Sequence, residues 1–212
     1  GEGESSTDPD VMSEDCLFMN IITPKVLDQG PLPVLFFVHG GNWRRQMGND
    51  NLYNGNRLAK EENVITVTFG FRQGPLGYLR LDDQFVTGNQ AVSDILQALR
   101  WVKKNIASFS GDPDNVTMMG QSAGADLVAY FATFNQNHID SEEINSLFHK
   151  AVITSNPWSV PGRNVAANYP DISYPANAGQ QELIGGRFLQ FLKPASLEGA
   201  SCATLSPEQM VG

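Results

Sequence analysis

Short apolar runs and helix-like stretches alternate along this chain. Leu17-Phe18-Met19-Asn20-Ile21-Ile22 is brief and closes at Thr23-Pro24, which predicts an antiparallel edge strand. Pro33-Val34-Leu35-Phe36-Phe37-Val38 is continuously apolar up to His39-Gly40-Gly41, and Val64-Ile65-Thr66-Val67-Thr68-Phe69 is rich in β-branched residues. Both runs predict strands buried on two faces. Within residues 88–107, Ala91, Ile95, Ala98, Leu99, Val102 and Ile106 recur at three- and four-residue spacing, the mark of an amphipathic helix. Gly111-Asp112-Pro113-Asp114 predicts a turn. Val116 to Met119 then predicts a strand, Ala125 to Ala132 a helix, and Ala151-Val152-Ile153-Thr154 a further strand.

Strand–helix–strand alternation predicts an α/β fold: a mostly parallel central sheet with right-handed crossover helices. Ligands of such sheets sit beyond the carboxyl ends of the strands. Gly40-Gly41, Gly70, Ser122 and Ser155 all fall at those ends. Residues 156–180 are rich in Pro, Asn, Ala and Ser with little periodicity and read as a surface excursion. Residues 181–193 place Leu183, Ile184, Phe188, Leu189 and Leu192 on one helical face. The sequence carries no internal repeat.

The 212 residues are enough for one sizeable core, and 41% hydrophobic with 17% charged residues is ordinary for a globular chain. The net charge of −9 argues against nucleic acid or an anionic membrane as partner. No apolar run reaches the length of a membrane span. The polar start, Gly1 to Asp10, is not itself a signal peptide, although removal of one is compatible with it. Cys16 and Cys202 are the two cysteines, open between free thiols and pairing with something outside the chain. Asn115-Val116-Thr117 is a glycosylation sequon against the strand leading to Ser122, where a glycan has little room.

Candidate chemistry centres on Gly120-Gln121-Ser122-Ala123-Gly124, a Gly-x-Ser-x-Gly between a strand and a helix. That is the pattern of a nucleophile elbow, a turn so tight that flanking side chains would clash and the serine stands exposed at its apex. A serine hydroxyl needs a base, normally histidine oriented by a carboxylate, and donors aimed at the oxyanion. The N–H after the serine, that of Ala123, is one candidate donor; His39-Gly40-Gly41 supplies the glycine-rich loop expected for others. Losing one such donor raises the barrier by about 3–4 kcal/mol. No metal cluster or phosphate-binding loop appears, and no cofactor is expected.

Several further segments carry a resemblance. Ser13-Glu14-Asp15-Cys16-Leu17-Phe18-Met19-Asn20, Val38-His39-Gly40-Gly41, Phe71-Arg72-Gln73-Gly74-Pro75-Leu76-Gly77-Tyr78-Leu79, Gly88-Asn89-Gln90-Ala91 and Gly120 to Ala125 stand in family order. So do Phe109 to Thr117 and Leu147 to Ile153. Together they resemble the N-terminal half of the type-B carboxylesterase, cholinesterase and fungal lipase family, best over residues 13–160. The resemblance implies that residues 1–212 are the N-terminal portion of one α/β-hydrolase domain. It implies a serine hydrolase that cleaves carboxylic esters through an acyl-enzyme on Ser122. The oxyanion hole would be formed by Gly40, Gly41 and Ala123, and Gln121, Asn42 and Trp158 would line the substrate pocket. It also implies a secreted protein, a family cysteine at Cys16 with its partner farther N-terminal, and one member of a later pair at Cys202. Arg72 and Asp94 would pair behind the site, and Trp43 would line its entrance.

The chain departs from the family at two site positions. Gln121 stands where glutamate is usual, and Asn42 replaces the third glycine of the oxyanion loop. The family's base and acid lie beyond the elbow. His39 belongs to the oxyanion strand, His149 precedes a strand at the wrong end of the sheet, and His138 sits in a polar loop. None has the place of a base. The expected partners are therefore an ester substrate and a remainder of the same protein that brings histidine and acid. An outermost parallel strand at Ala151 to Thr154, apolar on both faces, points the same way. The alternative is a non-catalytic adhesion or scaffold homologue, or an inactive truncated fragment.

Overall fold

The computed structural model describes residues 13, 15–25, 30–78, 88–133 and 141–155. In chain order these form β1 (Met19–Ile22), β2 (Leu32–Val38), α1 (Asn56–Glu62), β3 (Ile65–Phe69), α2 (Gly74–Tyr78) and α3 (Gln90–Asn105). β4 (Gly111–Gln121), α4 (Ala123–Thr133), α5 (Ser141–Leu147) and β5 (Lys150–Thr154) follow. Single 3₁₀ turns at Asn51–Tyr53 and Ile106–Phe109 precede α1 and extend α3.

The five strands form one sheet in the order β1-β3-β2-β4-β5. β1 runs antiparallel to β3, from Met19 opposite Phe69 to Ile22 opposite Thr66, and is the edge strand its pattern predicts. The other neighbours are parallel, so the expected α/β architecture is present. Every position of β3 is buried, as its β-branched run predicts. β2 differs: Val34, Phe36 and Val38 are buried, but Leu35 and Phe37 are only partly covered. A parallel strand reads as continuously apolar even when one face is less thickly covered.

Gly111 to Asp114 is not a free turn but the opening of β4. Leu32 lies opposite Gly111 and Val34 opposite Val116, so the extra residues bulge from the ladder. The Asp112 carboxylate accepts from the Asp114 N–H at 2.8 Å and shapes that bulge. The Asn115 side chain of the sequon is engaged by Lys150 at 2.6 Å, and Thr117 lies in the ladder opposite Lys150.

The chain divides into two compact units. The first, Gly1–Phe71 with Asp94–Arg163, contains the sheet, α1, α4, α5 and most of α3. Ile95, Leu99, Val102 and Ile106 are all completely buried, the face that the helical spacing marks out. α4 lies against β4 and β5 through Leu127, Val128 and Phe131, which are buried. Phe36 and Phe69 stack at 4.5 Å in adjacent strands. In the second unit, Arg72–Ser93 with Asn164–Gly212, the described residues are α2 and the start of α3, where the Arg72 guanidinium donates to the Gln90 carbonyl at 3.5 Å.

β5 closes the described sheet on one side, and all five of its residues are exposed, Val152 at 41% and Ile153 at 44%. It is the apolar outer strand expected from the sequence. The predicted surface excursion at 156–180, the predicted helix at 181–193, Trp158, His138 and Cys202 lie outside the described residues.

Candidate active site

Three elements meet at the carboxyl end of the sheet. β4 ends at Gln121, Ser122 makes the turn, and α4 begins at Ala123. Ser122 has φ +56°, the left-handed conformation that L-residues avoid and that a strand-to-helix apex requires. Its carbonyl accepts from the Ala125 and Asp126 N–H groups at 2.9 and 3.2 Å and starts the helix. Its own N–H donates to the Thr154 carbonyl at 3.1 Å, so β5 anchors the backbone of Ser122.

The flanking glycines are required by contact. A Cβ on Gly120 would run into the Gly124 carbonyl and stand 2.7 Å from the Ala125 N. A Cβ on Gly124 would run into the Val38 carbonyl and stand 2.6 Å from that of His39. α4 thus starts directly against the end of β2, bringing the residues after β2 beside Ser122. A Cβ on Gly40 would stand 2.8 Å from the Gln121 carbonyl, 3.0 Å from its Oε1 and 3.1 Å from the Ser122 Cβ.

After Gly40 the chain turns left-handed. Gly41, Asn42 and Trp43 have φ of +110°, +59° and +58°. The Gly41 carbonyl accepts from Arg44 at 3.2 Å and Arg45 at 3.3 Å, closing the turn. Asparagine tolerates this conformation and tryptophan disfavours it, yet Trp43 is almost wholly buried, at 3% exposure. Trp43 is therefore a core anchor of this loop rather than an entrance residue.

His39 packs with its ring in an aromatic stack, 4.5 Å from Phe71 and 6.0 Å from Tyr53. Its Nδ1 lies 2.8 Å from the Gly40 carbonyl. Burial lowers its pKa to about 4, against the raising pull of the Gly40 carbonyl and the Asp50 carboxylate. Burial and Asp50 push the Tyr53 phenol up, while the Gly40 N–H pulls it the other way. Gly40 lies directly against Gln121 and Ser122. It is the residue that lets the loop approach Ser122. Gly41 follows in the chain, and Ala123 stands in the first turn of α4, where N–H groups have no intrahelical acceptor.

Neither described histidine stands as a base to Ser122. The His149 N–H donates to the Val116 carbonyl at 2.8 Å and its Nδ1 accepts from the Val116 N–H at 3.2 Å. At about 3.3 Å per residue along β4, that is some 15–20 Å from Ser122. His39 is held in its stack. Among the described residues no group of three or more His, Cys, Asp or Glu could hold a metal ion.

The carboxylesterase family profile matches residues 2–171. The chain belongs to the carboxylesterase family. It is 42% identical over 152 residues to the cocaine esterase of Oryctolagus cuniculus, covering 71% of this chain and 27% of that protein. It is 36% identical over 186 residues to neuroligin-2 of Mus musculus, covering 76% of this chain and 20% of that one. A solved carboxylesterase of Geobacillus stearothermophilus superposes with a TM-score of 0.75 at 30% identity, over 99% of this chain and 40% of that chain. This family member therefore spans well under half the length of these relatives.

Of the predicted site residues, Ser122, Ala123, Gln121, Gly40, Gly41 and Asn42 lie together at one end of the sheet. Trp158 lies outside the described residues. Two neighbours of the loop escape the sequence reading: Tyr53, which stacks on His39 at 6.0 Å, and Gln46, whose Oε1 accepts from the Tyr53 hydroxyl at 2.6 Å. No local pattern ties these positions to the loop. Asp126, buried one turn after Ser122, also escapes that reading; its position in the first turn of α4 suits a carboxylate.

Proposed function

We propose that this carboxylesterase-family chain carries the nucleophile and oxyanion donors of a serine hydrolase acting on carboxylic esters. The observation that carries the reading is the left-handed Ser122 apex between β4 and α4, with Gly40 packed against it. Ser122 Oγ attacks the ester carbonyl, and the N–H groups of Gly41 and Ala123 receive the developing oxyanion. Collapse expels the alcohol and leaves an acyl group on Ser122, which water then removes. Gln121 and Asn42 border the reacting group. Gln121 brings a carboxamide rather than a charge beside the nucleophile.

The base and acid belong to a remainder of the same protein. The placement of His39 and His149 away from Ser122 supports this, as do the uncovered β5 edge and the fraction of its relatives that the chain spans. Neuroligin-2 among the relatives is the observation on the side of a non-catalytic reading. The retained serine and glycines weigh against it. Treating the full-length protein with a fluorophosphonate probe separates the two. Labelling at Ser122, lost in Ser122→Ala, is expected; a folded protein that takes no label refutes the hydrolase reading.

A further inference from the structure

The peptide joining Gly40 to Gly41 has glycine on both sides, so nothing in its own chemistry opposes a flip of its plane. Neither glycine can be replaced by a stiffer residue. A Cβ on Gly41 would run into the Arg45 carbonyl, and one on Gly40 would crowd Gln121 and Ser122. A trans peptide carries its C=O and N–H on opposite edges. Whatever holds the Gly40 carbonyl therefore also aims the Gly41 N–H, and a flip would point a carbonyl oxygen where a donor is needed.

We infer that His39 is a positioning residue for ester hydrolysis: by holding the Gly40 carbonyl it fixes the direction of the Gly41 N–H toward the oxyanion. The inference rests on the serine-hydrolase reading. Nδ1 sits 2.8 Å from a carbonyl oxygen, which can only accept, so Nδ1 carries the proton. The ring that presents it is 1% exposed and stacked on Phe71 with an interplanar angle of 28°. His39 thus restrains the glycine through its carbonyl, and the loop gains from this neighbour the rigidity its own residues lack.

The test compares the full-length wild-type protein with His39→Phe, which keeps an aromatic ring but loses the donor, and with His39→Asn, whose amide nitrogen takes the place of Nδ1. Turnover of p-nitrophenyl acetate and affinity for an aryl trifluoromethyl ketone, which forms an oxyanion on Ser122, are measured together. His39→Phe is expected to lower kcat by about 10- to 100-fold, up to the lower bound for a lost oxyanion donor because the misaimed N–H is not removed, with KM little changed. Ketone affinity falls in step, and His39→Asn recovers most of both. Unchanged kcat and ketone affinity in folded His39→Phe, or no recovery in folded His39→Asn, overturn the inference. Nitrogen-15 spectra of labelled histidine give a readout that needs no variant: a His39 protonated at Nε2 alone also overturns it. Should the wild-type protein neither hydrolyse esters nor take a fluorophosphonate, the hydrolase reading falls, and with it His39's part in hydrolysis; the tautomer then decides only whether the loop is clamped.

Discussion

Gly40 stands so close to Ser122 that a single added carbon would lie 3.1 Å from the serine Cβ. The same carbon would meet the Gln121 carbonyl at 2.8 Å, and backbone there is fixed by the β4–β5 ladder. Gly40→Ala must therefore push the loop away from the elbow, carrying the Gly41 N–H with it. A fall in kcat of about 100-fold is expected, comparable to removal of one oxyanion donor. Steady-state kinetics beside a thermal melt check this; near-normal turnover would mean the Gly41 N–H does not serve the oxyanion.

Gly124 bears on stability rather than turnover. Its added Cβ would meet the Val38 and His39 carbonyls, both backbone, so α4 would have to lift off the sheet. Gly124→Ala should destabilise by about 3 kcal/mol, the upper end for overpacking. Urea unfolding midpoints measure it, and a shift under about 1 kcal/mol would show that the helix end yields cheaply.

Ser122 holds a conformation that costs an L-residue about 1–2 kcal/mol. Ser122→Ala keeps that cost and Ser122→Gly removes it, at about 0.5–1 kcal/mol of extra chain entropy. Both variants lose the nucleophile, yet the glycine variant should be the more stable by up to about 1 kcal/mol. A lower melting temperature for Ser122→Gly than for Ser122→Ala would argue that the apex is unstrained.

His39 makes stability depend on acid. Its folded pKa is depressed to about 4, so between that value and the unfolded value near ~6.5 the unfolded chain binds the proton more readily. The contribution of its burial is intact above about pH 6.5, declines as pH falls, and is lost by about pH 4. The full loss is about 3 kcal/mol. Unfolding free energies of wild type and His39→Asn across that window should converge as pH drops; parallel curves would contradict a buried neutral ring.

β3 was legible because burial on two faces writes itself as an uninterrupted apolar run, and the elbow because Gly-x-Ser-x-Gly answers to contacts only glycine survives. α1 and α5 were not foreseen. Each is seven residues long, too short to establish a helical period, and each buries only one or two residues, Ala59 in α1 and Ile144 with Leu147 in α5. Gly111 to Asp114 has turn chemistry, and the ladder absorbs it as a bulge. The deeper gap is at the site: Tyr53 stacks on the His39 ring from fourteen positions away, and Trp43 is buried in a conformation its residue type disfavours. Such pairings are decided by packing in three dimensions and leave no period or spacing to read.

The bond from the Ser122 N–H to the Thr154 carbonyl ties the reactive residue to the outermost strand of the described sheet. Outer strands fray first and are protected last. The left-handed turn at Ser122 thus depends on the ladder that is outermost among the described strands. Under the serine-hydrolase reading, competence becomes a late event in maturation, because the hydroxyl reaches its working pose only once β5 is secured.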